Sequence, residues 1–154
     1  MISYLDGDIR RINHMLKVYA LSEAIGKSEC LSPDILDTLL TAAAVHDIGI
    51  HLCEKKYASC AGKYQEIEGP AEAERLLLKL NFDSDTIERV CWLVGHHHTY
   101  LDNNESDYRI LIEADFIVNA DEDKLSKSAV KTAKEKIFRT HSGIKILNDM
   151  FGEL

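Results

Sequence analysis

Seven histidines are spread unevenly along this chain, and four of them fall in just two places, His46 and the run His96-His97-His98. Adding His14, Asp47 and Asp115 gives a set of metal-ligating side chains that recur at the ends or in the middles of apolar helical runs. A carboxylate in such a setting must be paired or bound to a cation, because burying an isolated ion costs several kcal/mol even after relaxation. Asp47, in Val45-His46-Asp47-Ile48, and Asp115, in Glu113-Ala114-Asp115-Phe116, both meet that demand. Imidazole nitrogen and carboxylate oxygen together suit iron, manganese, nickel, cobalt or zinc, and a ligand set without cysteine favours a catalytic centre over a structural zinc. Taken singly, His14 reads as a satisfied helix histidine and Asp115 as a partner for Arg109. Taken in order, the set is more informative than its members.

The elements that must position these residues are helical. Asp6 or Asp8 caps a first helix with Ile9, Ile12, Leu16, Tyr19, Ala20 and Ala24 as its apolar stripe, His14 inside it and Gly26 as its stop. Ser32-Pro33-Asp34 is a strong start signal, leading through Ile35, Leu36, Leu39 and Leu40 to His46-Asp47 near the helix end. Residues 51–65 show no clear period and read as irregular. A third helix is expected from about Gly69 to Leu80, opened by Pro70. A further one, with Asp85 and Glu88 as its capping box, leads into the triple histidine. Asp102-Asn103-Asn104 is a turn, Tyr108–Val118 a buried helix, and 122–139 and 142–151 two more. No alternating strand pattern and no long repeat is visible.

The chain has 154 residues, 45% apolar and 29% charged, which suits one domain of ordinary size with a real core and argues against disorder. Its formal charge of −8 disfavours a surface built for long nucleic acid, while leaving small phosphate esters open. That charge is uneven, because residues 124–145 carry seven basic side chains against Glu135 alone. Lys131, Lys134 and Arg139 there could flank a phosphate, although a solvated outer face is the simpler expectation. Two early acids, Asp6 and Asp8, rule against a signal peptide, and no uninterrupted apolar run reaches the roughly 18 residues of a membrane span, so a cytoplasmic protein is expected. Cys30, Cys53, Cys60 and Cys91 form no Cys-x-x-Cys pair and read as reduced, mostly buried thiols. Nothing in the sequence speaks to oligomeric state.

The order histidine, His-Asp, histidines, aspartate resembles the HD-domain superfamily of metal-dependent phosphohydrolases. Arg11-Ile12-Asn13-His14, Ala43-Ala44-Val45-His46-Asp47-Ile48-Gly49 and Ile112-Glu113-Ala114-Asp115 carry the likeness. Lys63–Pro70 and Gly95–Tyr100 are similar to short stand-alone bacterial members. The fold implied is a compact all-α bundle of about six or seven helices over residues 1–154, with the resemblance strongest over 8–120 and C-terminal helices in 122–151. The resemblance further implies that His14, His46, Asp47 and Asp115 hold a first divalent metal, with Asp47 bridging to a second if one is present. The fifth ligand falls among the triple histidine, His97 first and His96 next. Two-metal relatives carry a histidine before the Gly-Pro where this chain has Glu68, so the metal count turns on that residue. Ile50, where many relatives have lysine, is another departure. The activity implied is hydrolysis of a small, nucleotide-like phosphomonoester or phosphodiester by metal-activated water that Asp47 orients, with a spare histidine of the run as proton donor. The rival expectations are a non-catalytic, metal-stabilised nucleotide-binding or signalling module and a di-iron oxygenase.

Overall fold

A computed structural model describes residues 1–100 and 103–153, so Asp102 of the expected turn lies outside the described residues. The chain is all-helical, with no strand among the described residues. In order the helices are α1 (Ile9–Ser28), α2 (Pro33–Val45), α3 (Ile50–Tyr57), α4 (Gly62–Lys79), α5 (Ser84–Val94), α6 (Ser106–Glu122), α7 (Lys127–Ile137) and α8 (His141–Phe151). Of these eight, α3 goes beyond the six or seven expected. It occupies the stretch read as irregular, and it ends where Ala58 takes a left-handed conformation (φ 50°) and returns its N–H to the Glu54 carbonyl.

The centre of the bundle is α6. Ile110, Leu111, Ile112, Ala114, Ile117 and Val118 are spread around it, the pattern of a helix enclosed by its neighbours, and every one of them is buried. Helices α1 and α2 pack on it and on each other, α5 packs on α2, and α4 packs on α5. Asp115 therefore projects from the most enclosed helix of the protein. Glu113, fully buried, accepts hydrogen bonds from the backbone N–H of Arg139 (2.6 Å) and Thr140 (3.0 Å) and from the Thr140 hydroxyl, so a buried carboxylate secures the entry to α8.

Four expectations about the helices are corrected. The buried face of α1 consists of His14, Met15, Val18, Ser22, Ile25 and Gly26, while Ile9, Leu16 and Tyr19 of the expected stripe are exposed. Gly26 does not stop α1; it is a packing point, where a Cβ would lie 2.8 Å from Leu36 Cδ1. Helix α4 starts at Gly62, well before Pro70, because Gln65, Gly69, Ala73 and Leu77 form a buried row at four-residue spacing that carries the helix through the proline. The cap of α5 is Asp83, which accepts from Thr86 N–H at 2.9 Å, with Asp85 in the first turn.

The stretch Pro33–Tyr57 has the length and mean hydropathy (1.3) of a membrane-crossing helix. It is broken by a turn at 46–49, and its apolar residues Leu39, Ala42, Ala43, Val45 and Ile48 belong to the core. The four cysteines are free; Cys53 is buried, but Cys30 and Cys60 are exposed, against the expectation of mostly buried thiols.

Candidate metal centre

Two local devices deliver the site histidines. His46 stands just past the last residue of α2, where helix carbonyls lack intrahelical partners, and its Nδ1–H donates to the Ala43 carbonyl at 2.9 Å. His97 lies in the turn after α5 and does the same with the Val94 carbonyl at 2.8 Å. A donor at Nδ1 leaves the lone pair on Nε2, and in both residues that nitrogen faces the interior. His14 sits in mid-helix on α1, with Nδ1 against Glu122 Oε2 of α6 at 3.1 Å. Its Nε2 thus also carries a lone pair inward.

These lone pairs converge with two carboxylates. His14 Nε2 is 3.3 Å from His46 Nε2 and 3.1 Å from Asp115 Oδ1, while His46 Nε2 lies 3.5 Å from Asp115 Oδ1 and 3.6 Å from Asp47 Oδ2. His97 Nε2 approaches Asp47 Oδ1 at 3.4 Å, and Asn119 Nδ2 donates to Asp115 Oδ1 at 2.9 Å. Two groups have ligand atoms close enough to hold a metal ion, His14 with His46 and Asp47, and Asp47 with His97 and His98. Asp47 is common to both. Among the described residues, Asp47 Oδ1, His97 Nε2 and His98 Nε2 are buried without a hydrogen-bond partner.

The chemistry of this donor set fits a cation. Two Nε2 lone pairs 3.3 Å apart repel unless a proton or a metal stands between them, and a buried carboxylate oxygen without a partner is costly for the same reason. Protons do this in the chain alone. Burial pushes His46 down, but Asp47 and Asp115 outweigh it and raise the imidazole to about 9. Burial pushes Asp47 and Asp115 up, yet the neighbouring histidines hold both well below the usual carboxylate range. His98 is the opposite case, since burial and the adjacent His97 lower it to about 4 and leave it neutral.

Two expected ligands are not brought to the cluster. His96 lies flat on Trp92, with ring centroids 4.4 Å apart, and its Nδ1–H donates to the Trp92 carbonyl at 2.7 Å, because the chain has left helical spacing after Val94. Glu68 is held by Lys56 Nζ (2.6 Å) and the Tyr57 hydroxyl (2.5 Å), both from α3. His98, the member of the run not preferred from sequence, is the one beside His97. Its ring lies over Gly62, where a Cβ would come within 2.6 Å of it.

A cavity of about 400 Å³ opens beside the cluster, walled by Arg10, Arg11, His14, Asp47, Gln65 and His98 among others. Lys131, Lys134 and Arg139 do not line it; Lys134 donates to Asn148, and the Arg139 guanidinium donates to carbonyls at the end of α7. Asn119 and Glu122 were not anticipated from sequence. The available signal was their spacing from Asp115, four and seven residues on, which places all three on one face of α6.

The HD domain family model matches residues 11–131, most of the chain and all of the converging side chains. The chain belongs to the HD-domain family. No curated protein and no solved structure matches it. HD domains are mostly metal-dependent hydrolases, and in this one the buried histidine and aspartate groups are suited to a metal ion.

Proposed function

We propose that this HD domain is a cytoplasmic phosphohydrolase that uses one or two divalent transition metals to cleave a small, nucleotide-like phosphate ester. The observation that carries this reading is Asp47, the carboxylate common to both ligand groups and lining an open cavity, whose buried Oδ1 faces His97 Nε2 at 3.4 Å. His14, His46, Asp47 and Asp115 would hold the first metal, and Asp47, His97 and His98 a second; Glu68 and His96 are left out of the set. A bound metal would supply Lewis acidity to a phosphate oxygen and lower the pKa of water.

The chain's own groups do the rest. Asp47, which lines the cavity, can orient the attacking water. Arg10, which makes no ion pair among the described residues, can meet the phosphate at the cavity wall, whereas Arg11 is committed to Asp8 (2.7 Å) and Glu54 (2.5 Å). The expected proton donor from the triple histidine is not favoured. His98 is already neutral at pH 7 and offers a lone pair, and His96 is occupied by the Trp92 carbonyl. A cavity of about 400 Å³ suits a mononucleotide or sugar phosphate.

The test is phosphate release from a panel of nucleoside monophosphates, cyclic nucleotides and sugar phosphates by protein loaded with manganese, iron, cobalt or nickel. Turnover of at least one substrate, lost in Asp47→Ala, is expected. Metal bound without any turnover refutes the hydrolase, and saturable nucleotide binding without product would assign the non-catalytic module instead.

A further inference from the structure

His14 poses a problem that His46 and His97 do not. Those two stand just beyond helix C-termini, where an unused carbonyl three residues back takes the Nδ1 proton. His14 is inside α1, where nearby carbonyls are spent on the helix ladder, so its orientation must be set from another element. Glu122 of α6 does this. Its Oε2 lies 3.1 Å from His14 Nδ1, and its Oε1 accepts from Lys17 Nζ at 2.9 Å. His14 and Lys17 are three residues apart on α1, so one carboxylate is gripped at both oxygens by one helix face, and neither its rotation nor the imidazole's is free. The same carboxylate sits seven residues beyond Asp115 on α6, which ties two proposed ligands to one helix face.

We infer that Glu122 is a positioning residue for the metal centre, one that fixes the His14 tautomer and ring through Nδ1 and strengthens Nε2 as a donor with a full negative charge, where His46 and His97 have neutral carbonyls. This rests on the reading of His14 as a metal ligand. Carboxylate–histidine pairs behind a metal typically contribute 10–100-fold in affinity. Lys17 is half exposed and acts only by holding Glu122.

The experiment measures manganese and cobalt affinity of the metal-free chain by equilibrium dialysis, with the cobalt visible spectrum as a second readout. The native protein is compared with Glu122→Ala, Glu122→Gln and His46→Ala, and the thermal midpoint of each metal-free protein is recorded. Glu122→Ala should bind about 10–100-fold more weakly with an altered cobalt spectrum. Glu122→Gln, whose amide oxygen still accepts from His14, should recover much of that loss. The metal-free midpoints of the two variants should match each other. If Glu122→Ala binds metal as tightly as the native chain while His46→Ala does not bind, the inference is overturned and the metal reading stands. If the two Glu122 variants lose affinity equally and only in step with a lowered midpoint, Glu122 is structural and the inference is again overturned. If the native chain binds neither metal, both fall.

Discussion

Gly49 follows the His46-Asp47 pair and packs against the backbone of α4. A Cβ placed there would lie 2.9 Å from both the Cα and the backbone N of Gly69. Its own backbone (φ −75°, ψ −9°) is open to any residue, so the constraint is steric. Two effects of Gly49→Ala therefore oppose each other. Loss of chain freedom in the unfolded state favours alanine by about 0.4–1 kcal/mol, and overpacking against a rigid neighbour costs about 1–3 kcal/mol. The neighbour is main chain of a helix and cannot rotate aside, so overpacking wins by about 1–2 kcal/mol. For a chain of this size that lowers the melting midpoint by about 2–8 °C. Gly26→Ala is the matched control. Its Cβ would meet the tips of Leu36, Leu31 and Leu39, which can shift, so its stability should stay near the native value. Urea unfolding followed by far-ultraviolet circular dichroism compares the three metal-free proteins. A Gly49→Ala protein as stable as the native one, or less affected than Gly26→Ala, would refute the reasoning.

Three further outcomes are expected. His46 is raised in the fold from 6.5 to about 9, so its contribution to the metal-free protein is complete below about pH 6.5 and is lost as pH rises towards 9, on the order of 3 kcal/mol. Asp47 and Asp115 are lowered, so their contributions are present above their ordinary value of 3.8 and are lost in acid. Denaturant midpoints of the metal-free chain should thus decline from pH 6.5 to 9, and a rise over that window would contradict the cluster's electrostatics. Metal binding near neutral pH must displace the His46 proton, so titration with cobalt in weak buffer should acidify the solution; no proton release would argue that metal binds elsewhere. His97→Ala should lower metal affinity, while His96→Ala and Glu68→Ala should leave it unchanged, and any loss in the last two would restore the ligands that the geometry leaves out.

Much of the centre was legible because its parts coincide with strong local signals. His46-Asp47 stands at the end of an alanine-rich helix, and Asp115 interrupts an apolar run that only a central helix could bury. The face of α1 was not legible. Leu16 and Tyr19 are more apolar than His14 and Ser22, yet they are exposed, because His14 and Ser22 share the face on which Met15, Val18 and Ile25 pack into the bundle. The choice within His96-His97-His98 followed helical spacing from Val94, but the helix ends there and the turn presents His97 and His98. Glu68 was weighed as a ligand because it stands where two-metal relatives carry a histidine; its captors, Lys56 and Tyr57, belong to a stretch whose short helix has only Ile50 and Cys53 as buried anchors and so leaves little periodic trace. Glu113 was read as part of a motif, and its role at the start of α8 depends on a contact 26 residues away in sequence. In each case the missing information was tertiary.

The central claim is that His14, His46, Asp47 and Asp115 form a metal site. The most direct test is elemental analysis of untagged protein, purified after growth with manganese, iron, cobalt, nickel and zinc, alongside Asp47→Ala. The native chain should carry stoichiometric divalent metal, and the variant, folded by circular dichroism, should carry little. A native ratio near zero, or a ratio that Asp47→Ala leaves unchanged, would contradict the account.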